Sequence, residues 1–173
     1  NDDLPSLGGE TPLETALAEG KEIGYQGFEL GNKFPQDGPG LKAKLDEFGL
    51  ACVSGWYSGF LAELEPGQND AQAVAAEVER CKAHMSKLQY NGVKVVVYGE
   101  CAGTVQGQIE TPVSKRPQFA SDALWQAYAE RLNAFGEHLL QTYGIQLAYH
   151  HHMGAYVESP ADVDKLMALT DPA

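Results

Sequence analysis

Three imidazoles in a row occupy residues 150–152, in the stretch "AYHHHMG", and account for three of the five histidines in the chain. Along an extended segment successive side chains point to opposite faces, so His150 and His152 share one side and His151 takes the other. Two imidazoles on one face can share a metal ion, or one can bind metal while the other handles substrate or a proton. A hydrogen-bonded polar cluster without metal is the other arrangement such a pair supports. The apolar run before the triplet and Gly154 after it set it apart from a tag or a solvated loop. Three further short apolar runs end in chemistry-bearing residues. "GFELG" leads to Glu29, Asn32 and Lys33, "VSGWYS" carries Ser54, Trp56 and Tyr57, and "VVVYGE" closes on Tyr98 and Glu100.

Elements must bring these ends together, and the chain repeats one grammar: amphipathic helix, glycine, short β-branched or aromatic run. Thr11, Pro12 and Glu14 read as N-cap, first helical residue and capping-box acid of a helix ending near Gly24, followed by a strand at 27–31. Leu41, Leu45 and Phe48 form the next helical stripe, followed by Gly49 and a strand at 50–58. Val74, Val78, Cys81, Met85 and Leu88 step by four and three along one helix face. Gly92 stops that helix, and the strand 93–100 follows. Leu124, Tyr128, Leu132, Phe135 and Leu139 repeat the pattern up to Gly144, ahead of the strand 145–152. A last helix starts at Ser159-Pro160.

Alternating helices and strands predict a parallel α/β sheet with right-handed crossovers. Within the last two strands, Val93, Val95 and Val97, and Ile145, Leu147 and Tyr149, form apolar faces fit to lie under helices. That leaves Val96, Tyr98 and Glu100, and His150 and His152, for the other face. An open doubly wound sheet and a TIM-type (β/α) barrel both fit, and such a face favours the interior of the barrel, with chemistry at the C-terminal strand ends. A complete barrel needs ~250 residues. The 173 residues are therefore expected to form a single partial barrel domain over 1–173, the first half, with strands two to five and flanking helices. Asn1, Asp2 and Asp3 would then sit just past the first strand. The connection 101–121 is long for one without secondary structure, which marks it as an active-site loop, with Lys115 and Arg116 suited to an oxygen-rich ligand.

A formal charge of −12 and no basic stripe argue against nucleic acid. No segment has the length of apolar sequence that a membrane span requires, and no basic-then-apolar leader is seen at the start. Cys52, Cys81 and Cys101 show an odd count and no CxxC, a pattern that suits reduced thiols in a cytoplasmic protein. Cys52 and Cys81 read as packing residues.

"NDDLPSLGG", "GFELGNKFP", "VSGWYS", "KVVVYGE", "GTVQG", "TPVSKRP" and "LAYHHHMG" together resemble the inosose dehydratases of the xylose isomerase-like barrel superfamily, essentially end to end. The resemblance implies a TIM barrel, a divalent metal such as Mn2+ or Co2+, and a role in inositol breakdown. It also implies dehydration of the small polyol ketone 2-keto-myo-inositol to 3D-(3,5/4)-trihydroxycyclohexane-1,2-dione. Sister isomerases carry a metal-binding glutamate at the end of the same strand in a Glu-x-His pattern. That pattern sets His150 in the metal position and His152 in that of the histidine, with the remaining ligands expected past Ala173. For a β-elimination beside a ketone, His152 or Glu100 is the expected base, and Lys33 the donor to the oxyanion or leaving hydroxyl. Trp56 and Tyr57 would wall the ring, and Asn32, Arg116, Tyr98 and His151 complete the substrate-binding set. A keto-sugar isomerase or epimerase on the same barrel, and a non-catalytic half-barrel that binds a polyol or assembles with another chain, are the alternatives. A homo-oligomer is compatible with all of these.

Overall fold

The computed structural model describes residues 6–171, so Asn1, Asp2 and Asp3 lie outside the described residues. Among the described residues, five α-helices alternate with four strands. In chain order these are α1 (Leu13–Glu22), β1 (Gly27–Leu30), α2 (Gly38–Asp46), β2 (Ala51–Gly59), α3 (Asp70–Tyr90), β3 (Val95–Glu100), α4 (Asp122–Tyr143), β4 (Gln146–Tyr149) and α5 (Pro160–Leu169). The strands make one sheet in the order β1-β2-β3-β4, and every pairing is parallel. This is the α/β arrangement of half a barrel: consecutive strands side by side, each pair joined by a helix over the outer face.

Helix ends follow local chemistry. Asn69 and Gln72 form a reciprocal capping box at α3, and Ser159 and Asp162 do the same at α5. Gly144 ends α4 in the left-handed conformation, φ 66°. The first helix departs from expectation. Pro12, not Thr11, occupies the N-cap, and no side chain among the described residues caps α1. Proline's fixed φ and missing N–H reduce the need for a cap there.

Register determines which side chains share a face. Tyr57, Tyr98 and Tyr149 lie in one row across β2, β3 and β4. All three face the helices, where Tyr57 and Tyr98 pack on Phe135 of α4 and Tyr149 meets the hydroxyl of Tyr128. The neighbouring row, Trp56, Val97 and Ala148, faces the inner, concave side. This corrects the expected parity of β3: Val96 and Tyr98 are buried under helices, while Val95 and Val97 turn inward. The reason is that the polar atoms on the helix side have partners. Tyr98 donates to Glu100 at 2.8 Å, and Glu100 accepts the N–H groups of Leu61, Ala62 and Ala102. A satisfied polar atom is tolerated in a core, so polarity did not mark the inner face. In β4 the expected parity holds, with Tyr149 outward and His150 turned to the cleft.

Candidate active site

At the C-terminal ends of the strands a cleft of about 650 Å³ opens on the concave side. Its walls include Glu29, Asn32, Trp56, Ser58, Cys101, His150 and His152. Each comes from a strand end or from the loop just beyond it, the position where barrel sites are built.

Trp56 organises the histidine end. Its indole N–H donates to Ser58 Oγ at 2.9 Å, which fixes the ring plane. The His150 ring meets it edge-on at 5.2 Å between centroids, and His152 at 6.3 Å. A side chain at position 99 would collide with the indole, at 2.2 Å from Cζ2, so Gly99 is the socket in which Trp56 lies. His150 continues the ladder one step past β4, its N–H donating to Tyr98 O at 2.8 Å. Desolvation, and then the neighbouring His152 and His151, hold its pKa below the ordinary imidazole value. Its neutral form, with a lone pair to offer, is thereby favoured. Opposite, Ser54 donates to Glu29 at 2.6 Å on the inner face of β1 and β2.

The expected site residues separate into two groups. Trp56, His150, His152 and Asn32 line the cleft. His151 is exposed, with its ring stacked beside His150 at 6.1 Å. The others stand elsewhere. Tyr57 is buried against α3, hydrogen-bonded to Glu77, and Tyr98 is buried against α4. Glu100 is buried at 3% exposure and spent on three backbone amides and Tyr98. Burial pushes its pKa up to about 7, against the lowering effect of those hydrogen bonds. Lys33 turns away from the histidines and donates to the carbonyls of Gly8 and Thr11. Arg116 is occupied by the backbone of Ala155 and Tyr156 and by Asp162. Its neighbour Lys115 is exposed.

Sequence reasoning passed over Gln106, Gln36, His84 and Lys87, which also border the cleft. His84 and Lys87 belong to α3, where the apolar stripe is the local signal and the other positions carry none. His84 packs beneath Gly55, and its buried Nε2 has no hydrogen-bond partner among the described residues. Burial lowers its pKa to about 4. Cys52 and Cys81 are packing residues as expected, their thiols pushed up to about 11 by burial.

His150 and His152 offer two imidazoles with ring centroids 5.7 Å apart. Among the described residues no group of three His, Cys, Asp or Glu side chains is placed to hold an ion. The pair by itself does not complete a metal shell.

The model of the xylose isomerase-like TIM barrel family matches residues 17–172. The chain belongs to that family. Along the barrel sequence it is 41% identical over 170 residues to the rhizopine catabolism protein MocC of Rhizobium meliloti, covering 98% of this chain and 49% of that protein. It is 39% identical over 173 residues to the inosose dehydratase of Geobacillus thermodenitrificans, covering 99% of this chain and 55% of the relative. The chain thus spans about half the length of the curated relatives it matches. Among solved barrels, a sugar phosphate isomerase/epimerase from Parabacteroides distasonis superposes with a TM-score of 0.64 at 18% identity, covering 98% of this chain and 60% of that one. The 3-keto-D-glucoside 4-epimerase YcjR of E. coli gives 0.58 at 16% identity, with 91% and 59% covered. At such identities the superpositions establish the fold alone.

Proposed function

We propose that this barrel half belongs to a hydro-lyase that dehydrates 2-keto-myo-inositol to 3D-(3,5/4)-trihydroxycyclohexane-1,2-dione. The observation that carries the reading is the cleft in which Trp56 and two imidazoles meet at the strand ends, in a chain that aligns over its whole length with inosose dehydratases. Trp56 offers an aromatic wall to the carbon face of a six-membered polyol. Glu29, held by Ser54, and Asn32 face the ring hydroxyls. His152 moves protons: it takes the hydrogen α to the ketone and returns it to the departing β-hydroxyl, and the enol so formed tautomerises to the dione. A divalent ion such as Mn2+ or Co2+, with His150 as the ligand this chain contributes, would polarise the ketone oxygen. Glu100, Tyr98, Tyr57, Lys33 and Arg116 act behind or beside the cleft rather than on the ring.

The test is incubation of the chain with 2-keto-myo-inositol and Mn2+, followed by mass spectrometry of the product. A product lighter by one water supports dehydration. A product of unchanged mass and altered configuration rejects it in favour of an epimerase, and binding without turnover assigns to this chain the binding half alone.

A further inference from the structure

The connection between β3 and α4 is pinned at two points to the residues that follow β4. At the first, Gly154 O accepts both Thr104 Oγ1 and Val105 N at 3.0 Å. The approach is so close that a side chain at 154 would meet Gln106 N at 3.1 Å, and Gly154 takes φ +80°. At the second, Arg116 Nη1 donates to Ala155 O at 3.1 Å and Tyr156 O at 2.9 Å, and Nη2 to Asp162 at 2.8 Å. Glu158 stands 3.7 Å from Arg116 Nε and accepts Gly154 N–H at 2.6 Å, which ties the two pins together. The arginine side chain is only 12% exposed, so its charge is committed to this segment. The turn closes on itself through His152 N to Val157 O and Ala155 N to His152 O.

One consequence reaches the cleft. His152 Nδ1 lies 3.0 Å from Met153 O. A carbonyl only accepts, so Nδ1 carries the hydrogen, and the neutral ring keeps its lone pair on Nε2. We infer that Arg116 is a positioning residue: by holding residues 154–158 it fixes the His152 tautomer and presents Nε2 to the ligand. The inference takes from the proposed function only that His152 faces the reacting ring, and its test needs no ligand, metal or turnover.

The experiment is a long-range 1H–15N correlation of the histidine rings in the whole chain at about pH 8, where an ordinary imidazole is neutral. Wild type is expected to show His152 as the Nδ1–H tautomer, against the Nε2–H form that a free imidazole prefers. Arg116→Gln is expected to return His152 toward Nε2–H and to lower the exchange protection of the Val105 and Gly154 amides by about tenfold. Arg116→Lys, which keeps a cation but not the fork, restores part of both. Thr104→Val removes one bond of the first pin and gives a smaller shift in the same direction. An Nε2–H ring in wild type, or an unchanged tautomer in Arg116→Gln, overturns the inference. If Arg116→Gln does not fold, an unchanged tautomer in both Arg116→Lys and Thr104→Val does so instead. A chain with the Nδ1–H signature and no dehydration rejects the reaction and leaves the clamp standing.

Discussion

Glu100 and Trp56 show how two residues at neighbouring strand ends come to opposite uses. Both follow apolar runs, and both carry groups that catalysis employs. Glu100, however, faces the helices, where each of its oxygens is already an acceptor. Replacing it with alanine leaves three amides and a phenol without a partner, a cost of about 3 kcal/mol or more. Glu100→Ala is therefore expected to lower the urea midpoint sharply, and unchanged stability would contradict the role of these hydrogen bonds in holding the fold. Trp56 faces inward, in contact with His150. Trp56→Ala should weaken binding of 2-keto-myo-inositol by roughly tenfold, about 1.4 kcal/mol, with Trp56→Phe intermediate. Calorimetric titration decides, and equal affinity in all three would remove Trp56 from the site. In a barrel that carries the complete metal shell, His150→Ala should abolish Mn2+ retention on dialysis, and undiminished metal content would refute the imidazole as a ligand.

At the scale of elements, glycines act as sockets within the strands. Gly99 receives the indole of Trp56, and Gly59 receives the ring of Tyr98, where an added side-chain carbon would sit 2.0 Å from it. Gly99→Ala is expected to displace Trp56 and shift its fluorescence while the far-UV circular dichroism stays native. A spectrum unchanged in both would mean that the strands yield more than their packing suggests. The sequence made the helices and strands readable because apolar periodicity and stop glycines are local signals. Gly144 and the Ser159 cap stand where that reading put them. Strand parity was another matter. In β4 the apolar face lies under α4, so the histidines were placed on the cleft side from alternation alone. In β3 both faces contain valine, and the polar ends of Tyr98 and Glu100 are satisfied by residues 61, 62 and 102, a distant partnership that no local pattern announces. Arg116, expected at the ligand, is engaged instead by Ala155 and Tyr156, partners about forty residues away that no local pattern announces.

Across the whole molecule, two groups, the buried Glu100 and the half-buried His84, set opposite pH dependences. Glu100, pushed up to about 7 from an ordinary 4.5, binds its proton more tightly when folded, so between those values the folded chain holds more protons than the unfolded. Stability therefore falls as pH rises through that window. His84, lowered to about 4 from 6.5, does the reverse: the unfolded chain holds more protons, and stability rises with pH. Each effect is on the order of 3 kcal/mol across its window, so they largely cancel where the windows overlap. Wild type is expected to show a shallow profile of urea midpoints between about pH 4.5 and 6.5. His84→Gln removes the rising contribution and should leave a chain that loses stability as pH increases. Glu100→Gln removes the falling one and should gain stability over the same range, from a lower starting point because the amide cannot accept at both positions. Three parallel profiles would show that neither pKa differs between the folded and the unfolded chain, which would refute both shifts.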